Sequence, residues 1–279
     1  MKFDTLVDIK VIVATHKEYD MPQDEMYLPV HAGAAIAGKE LPYQRDDEGT
    51  NISAKNKSWC ELTALYWAWK NIDADYIGIC HYRRYFKGRA GNAEDLQGGP
   101  AKALSGSQTK ASAAGPARKS ELAELLAKAP VILPKKRNYF IETNYTQYIH
   151  AHHREDLDLT RQIIADQFPE YIPAWDSVMQ RTTGHRFNMM IMRRDLLEGY
   201  CSWLWTILES LEQQLDISAY SDYDKRVFGF VAERLLDVWI ETNKVEYTEL
   251  PVYETESVDW IKKGTQFLKR KFLGNHRRK

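Results

Sequence analysis

The 279-residue sequence has no apolar run approaching the roughly 20 residues needed to cross a bilayer, so it does not read as a membrane-spanning protein. Its first residues, Met1-Lys2-Phe3-Asp4, lack the apolar core of a secretory signal, and a cytoplasmic location is expected. Only three cysteines occur, Cys60, Cys80 and Cys201. Their spacing suits neither a metal site nor a disulfide framework, as expected in a reducing compartment. No Gly-x-Gly-x-x-Gly follows the first predicted strand and no Gly-Lys-Ser/Thr loop exists, which disfavours Rossmann dehydrogenases and P-loop enzymes. A Gly-x-Ser-x-Gly elbow and internal repeats are also missing.

Acidic residues stop at Asp259, so the formal charge of −1 conceals an asymmetry. Residues 1–259 carry 30 Lys and Arg against 39 Asp and Glu, and residues 260–279 hold the remaining 8 basic residues. An acidic body argues against a nucleic-acid-binding domain, which needs a basic face on the fold itself. The terminal stretch interleaves its charges with Trp260, Ile261, Phe267, Leu268, Phe272 and Leu273. That pattern suits the anionic inner face of a plasma membrane, and a solvated terminus is the competing account.

With 44% hydrophobic residues the chain can bury a sizeable core. Residues 8–14 predict a strand rich in β-branched side chains, followed by Thr15-His16. Residues 20–57, with Pro22, Pro29, Pro42 and several glycines, read as loop. Ser58 and Glu61 form a candidate capping box for a helix over 59–71. Strands are expected at 76–80, 130–134, 185–192 and 245–252. Helices are expected at 121–127, 145–153, 157–168, 195–211 and 222–239, with Pro169 to Pro173 as a break. The order points to an α/β fold with a central, mostly parallel sheet flanked by helices. Residues 88–118 are small and polar and read as a mobile insert in a single domain over 1–259.

The segment Tyr76-Ile77-Gly78-Ile79-Cys80 ends abruptly in His81-Tyr82-Arg83-Arg84-Tyr85. Strand ends opening on a cleft are where α/β proteins place their chemistry. Adjacent guanidinium groups framed by rings suit a ligand carrying phosphates and an aromatic base. His150, His152 and His153 span more than one helical face and read as a polar helix end rather than a metal site.

Several motifs carry a resemblance. Val13-Ala14-Thr15-His16-Lys17, Asn51-Ile52-Ser53-Ala54-Lys55-Asn56, Cys60 to Asn71, His81 to Phe86, Asn188 to Met192 and Arg226 to Leu235 occur in one order. Together they resemble domain-of-unknown-function family 4422, found in bacterial capsular, exopolysaccharide and O-antigen gene clusters. The resemblance covers roughly residues 9–252. It implies a GT-A-like glycosyltransferase, and some family members resemble enzymes that use UDP-galactofuranose. GT-A enzymes hold a divalent metal on an Asp-x-Asp motif at the equivalent strand end. Here that position carries His81-Tyr82-Arg83-Arg84, and fixed cations can neutralise a leaving diphosphate instead. No cofactor or divalent metal is therefore expected. The expected partners are a UDP-sugar donor, a lipid-linked glycan acceptor and the membrane surface.

On that footing Thr15 and His16 are expected to contact the nucleotide. Asn51, Ser53 and Asn56 are expected to bind ribose or sugar hydroxyls, with turn formation as the competing account. Glu61 is either a ligand contact or a helix cap. His81, Arg83 and Arg84 are expected to bind the diphosphate, with Tyr82 stacking. Asp46 and Asp47 read as a solvated acidic turn rather than the metal site that such a pair could mimic. An inverting transfer needs a carboxylate base, for which Asp222, Asp224 and Glu233 are the candidates, with a structural Glu233–Arg234 ion pair as the competing account. Arg226 and Glu233 lie seven residues apart, on one helical face, and Gly229 between them permits close approach of another backbone. His185 and Asn188 are expected on the acceptor side with Arg226, with the satisfaction of backbone groups as the competing account for the first two.

Overall fold

In the computed structural model, residues 7–90 and 114–255 are described. The chain runs through β1 (Ile9–Thr15), β2 (Tyr27–His31), β3 (Gln44–Arg45), α1 (Asn56–Trp59), α2 (Leu62–Asn71), β4 (Tyr76–His81) and β5 (Arg84–Ala90). It continues with β6 (Ala114–Pro116), α3 (Lys119–Leu126), β7 (Val131–Pro134), β8 (Arg137–Asn138), α4 (Asn144–Ala151) and α5 (Arg154–Gln167). Then follow α6 (Ile172–Gln180), β9 (Thr183–Gly184), β10 (Met190–Arg193), α7 (Arg194–Gln214), α8 (Val227–Thr242), β11 (Thr248–Leu250) and β12 (Val252–Glu254).

The main sheet runs β11-β7-β10-β4-β1-β2-β3. β1 lies parallel to both β2 and β4, and β10 inserts antiparallel between β4 and β7. The fold is thus mixed α/β with a mostly parallel sheet. Six of the seven residues of β1 are buried, because both sheet faces are covered. Strand alternation divides them between two cores. Ile12 and Ala14 face the layer holding Trp59, Leu65, Trp205, Phe228 and Trp239. Ile9, Val11 and Val13 face a smaller layer with Tyr85, Phe86, Leu122 and Leu126. Gly78 sits opposite Ile191 of the neighbouring β10: a Cβ there would fall 2.6 Å from Ile191 Cγ1 and 2.9 Å from the Met190 carbonyl oxygen.

The departures from the sequence reading have local causes. The expected loop over 20–57 contains β2, although Pro29 interrupts its donor pattern. β3 pairs only with Val30 and His31, so no neighbour on that side requires an N–H from residue 29. Pro173 does not end a helix but occupies the first turn of α6, where a missing N–H costs nothing. The expected strand 185–192 shrinks to β10, because Phe187 (φ 76°) and Asn188 (φ 51°) are left-handed. The strand expected at 245–252 becomes β11 and β12, which pair with β7 and β5 respectively. The flanks of the expected 88–118 insert belong to β5 and β6, which pair with each other. Its centre lies outside the described residues, as does the basic segment 260–279. Among the described residues no helix is long and apolar enough to cross a membrane.

Candidate active site

The C-terminal ends of β1 and β4 open on a cleft of about 440 Å³. Thr15 and His16 line it from β1, and His81, Tyr82, Arg83 and Arg84 from the β4–β5 turn. Asn56, Lys57, Cys60 and Glu61 contribute from the α1–α2 junction. Phe187, Arg226 and Glu233 arrive from the far part of the chain. A broader depression of about 1010 Å³ lies at the opposite strand ends, around Asp8, Asp73, Asp75, Arg193 and Asp195. Carboxyl ends of parallel strands are where open α/β sheets bind ligands, so the smaller cleft is the functional candidate.

The α1–α2 junction explains how Glu61 reaches the cleft. The expected capping box does not form. Ser58 Oγ donates instead to the Lys55 carbonyl at 3.3 Å, and the helix breaks at Cys60, whose φ of 51° and ψ of −132° are non-helical. Asn56 Nδ2 holds the break by donating to the Cys60 carbonyl at 2.7 Å and to Thr63 Oγ1 at 2.9 Å. Glu61 is thereby released from capping. Its Oε1 accepts from Asn188 Nδ2 at 2.6 Å, and its Oε2 has no hydrogen-bond partner among the described residues. Gly229 allows the approach expected of it: its carbonyl accepts from Asn188 Nδ2 at 3.0 Å, and Cys60 Cβ would lie 3.4 Å from a Cβ at this position. Burial and then the Glu61 charge push the Cys60 thiol up to about 11, so it stays neutral near pH 7.

Residues 185–188 form the opposing wall. The Phe187 carbonyl lies 2.5 Å from His81 Nε2. A carbonyl only accepts, so Nε2 carries the proton and His81 is oriented by this contact. The Phe187 N–H donates to Glu233 Oε1 at 3.0 Å, while Glu233 Oε2 accepts from Arg234 at 3.0 Å. Both Glu233 oxygens are therefore engaged in holding the wall. Cys60, Phe187 and Asn188 are three of the five non-glycine residues with positive φ among the described residues. Such conformations cost about 1–3 kcal/mol each and persist where surrounding contacts impose them.

The cleft is predominantly cationic. Arg84 stacks over the Phe187 ring at 4.4 Å and pairs with Glu254 at 3.5 Å. Arg83 lies over the Tyr82 ring at 4.9 Å. That ring is already packed edge-on against His16 and Tyr19, so it supports its neighbours rather than offering an open stacking face. Arg226 Nε contacts Cys60 Sγ at 3.2 Å and its guanidinium lies over the Phe230 ring at 5.3 Å, while its terminal nitrogens make no hydrogen bond or ion pair among the described residues. Burial lowers the pKa of His16, and Lys17, Arg83 and Arg226 depress it further. Thr15 lines the cleft, but its hydroxyl donates to the Lys17 carbonyl at 2.6 Å.

Other expected site residues are not among those lining the cleft. Ser53 is buried and donates to Asp46, which is itself fully buried and accepts from the Gly33 and Ala34 N–H groups. Asp46 is thus an organiser of the loop rather than part of a solvated turn. Asp47 pairs with Arg45. Asn51 donates to the Asp47 and Gly49 carbonyls, in keeping with the turn account. His185 is buried between Asp237 and Glu249. Asn188 acts through Glu61. Asp224 is held by Ser221 and His152, and exposed Asp222 precedes it. His152 and His153 stack on Phe230 and Tyr220, and no cluster able to hold a metal occurs among the described residues. Lys57, Cys60 and Phe187 were not anticipated. Only Cys60 carried a signal, its place beside Glu61 in a motif.

No curated protein matches the chain. Among solved structures, the apo form of WbbM, a bifunctional glycosyltransferase, is similar, with 28% sequence identity and a TM-score of 0.73. The likeness covers 90% of this chain and 46% of the WbbM chain, so the protein spans less than half of that relative. The mixed α/β fold is therefore one that a glycosyltransferase structure shares. A family sequence profile matches residues 10–244, and the chain belongs to that family, the domain of unknown function DUF4422.

Proposed function

We propose that the protein is a glycosyltransferase that moves a hexose, galactofuranose being the first candidate, from a UDP-sugar to a lipid-linked glycan of a bacterial surface polysaccharide. One observation carries this reading: Arg83, Arg84 and Arg226 converge on the strand-end cleft that also contains Glu61, a carboxylate with an unengaged oxygen. The similarity to WbbM supports the reaction class.

The chemistry follows from the charges. Glu61 Oε2 takes the proton of the acceptor hydroxyl, and the freed oxygen attacks the anomeric carbon from the face opposite the diphosphate. The bond to the diphosphate breaks, and its electron pair leaves with UDP. The guanidinium groups neutralise that charge with forked donors matched to phosphate oxygens. Glu61 replaces Asp222, Asp224 and Glu233 as the base in this reading, because Glu233 spends both oxygens on the wall.

A divalent ion is not part of the reading. Guanidinium groups do not ligate a hard cation, which takes oxygen ligands, and Asp46 and Asp47 are occupied by backbone N–H groups and Arg45. Membrane attachment through residues 260–279 belongs to the same proposal. The test is incubation of the purified protein with a panel of UDP-sugars, including both ring forms of galactose, with and without EDTA. Release of UDP that survives EDTA supports the reading. Release abolished by EDTA removes its metal-free part. Donor binding without any turnover, even with acceptor, would make the protein a binding subunit instead.

A further inference from the structure

The two most exposed large apolar side chains among the described residues are neighbours: Phe140 is 80% and Ile141 69% exposed. They occupy the tip of the loop between β8 and α4. The tip is ordered by its own hydrogen bonds. The Phe140 N–H donates to Asn138 Oδ1 at 2.7 Å, and the Ile141 N–H donates to the Tyr139 carbonyl at 2.7 Å. These bonds form a tight turn centred on Phe140 at φ 61°, a rare conformation for a bulky residue. The base is fixed too. Tyr139 N–H donates to the Thr182 carbonyl at 2.8 Å, and the Tyr139 hydroxyl accepts from buried Arg186 at 3.1 Å. Two large apolar groups are thus held in water by a rigid support.

The approach to this tip is basic. Lys135, Lys136 and Arg137 are consecutive and exposed. The nearby carboxylates are engaged: Glu142 pairs with His150 and its side chain is only 16% exposed, and Asp237 and Glu249, whose charges reach Lys136, both pair with buried His185. Lys136 Nζ rests 3.0 Å from the Tyr247 hydroxyl. The surface also adjoins the cleft, since the Arg137 guanidinium lies 5.6 Å from the Phe187 ring that Arg84 covers as well.

We propose that Phe140 and Ile141 form a wedge that enters the headgroup–acyl boundary of an anionic bilayer, with Lys135, Lys136 and Arg137 contacting lipid phosphates. An apolar tip with a basic flank matches that boundary in both polarity and charge. This contact is separate from residues 260–279 and does not depend on the transferase reading.

Cosedimentation of the full chain with phosphatidylglycerol-containing vesicles and with pure phosphatidylcholine vesicles tests it. The protein is expected to prefer the anionic vesicles. Phe140→Ser with Ile141→Ser should weaken that binding about tenfold or more, since two apolar side chains lose their membrane burial. Lys135→Glu with Lys136→Glu should weaken binding to anionic vesicles only. An unchanged thermal midpoint checks each variant, and if one pair unfolds the other decides. Equal vesicle binding by wild type and the folded variants overturns the proposal, as does absence of wild-type binding. A dimer in light scattering that Phe140→Ser with Ile141→Ser dissolves, without vesicle binding, assigns the tip to a second copy and also overturns it.

Discussion

Asn188 Nδ2 donates to Glu61 Oε1 at 2.6 Å across 127 residues of sequence. Asn188 also donates to the Gly229 carbonyl, so one side chain ties the α1–α2 junction to α8 and to the wall of the cleft. This contact orients one carboxylate oxygen of Glu61 and leaves the other unengaged.

Glu61→Gln is expected to lower turnover of the UDP-sugar by about 10²-fold or more, the usual loss when a general base is removed. Donor affinity should change little, because the amide keeps the carboxylate's shape. Asn188→Ala should lower turnover less and also destabilise the protein, since the Gly229 carbonyl loses a donor. Steady-state kinetics with calorimetric donor binding separate the two. Full activity in Glu61→Gln would remove Glu61 as the base.

Arg83→Ala, Arg84→Ala and Arg226→Ala should each weaken UDP-sugar binding. A hydrogen bond to a charged group contributes about 1.5–3 kcal/mol, so losses of roughly tenfold to a hundredfold in Kd are expected. Arg226→Ala is the cleanest of the three, because its terminal nitrogens make no hydrogen bond or ion pair among the described residues. Titration calorimetry at two salt concentrations is the measurement, and wild-type affinity in all three variants removes the diphosphate clamp.

Three histidines give stability a pH dependence. Burial draws His16, His31 and His152 below the ordinary imidazole value of 6.5, and for His31 and His152 the carboxylates of Asp46 and Asp224 offset part of the effect. Between the folded and unfolded values the unfolded chain holds more protons. The contribution is therefore complete above pH 6.5 and declines as pH falls below it. The thermal midpoint should drop on acidification from about pH 7 to about pH 5. His152→Gln should flatten the slope, and a midpoint that rises on acidification would contradict the assignment.

Trp59 is fully buried and stacks between Trp205, at 6.2 Å between ring centroids, and Phe228, at 5.0 Å. Trp59→Ala should cost about 3–5 kcal/mol, the range for emptying a large aromatic site. Denaturant unfolding reads this directly. A loss below about 1 kcal/mol would mean that the aromatic layer collapses around the gap.

Much of the fold was legible in the sequence because its signals are local. β1 and β4 announce themselves as β-branched or apolar runs, and α7 and α8 as apolar stripes. The cationic turn His81 to Arg84 was visible because its members are covalent neighbours at a strand end. β2 was hidden because its tolerance of Pro29 depends on how short β3 is. α6 was hidden because Pro173 begins a helix as readily as it ends one. The capping box at Ser58 and Glu61 has the right residue types, but the Cys60 break diverts both.

The sequence by itself determined the α/β class, the strand ends that open on the cleft and the excess of cations there. Each follows from side-chain periodicity or from neighbours along the chain. Only the tertiary structure decided that Glu61 keeps one unengaged carboxylate oxygen, that Glu233 and His185 are committed to structural contacts, and that Asp46 is buried. For Glu61, Glu233 and His185 those outcomes rest on hydrogen bonds of about 3 Å to elements far apart in sequence, and for Asp46 on a loop that folds back over it. Such contacts form only when packing brings both partners together in the right direction, and no local propensity encodes that placement.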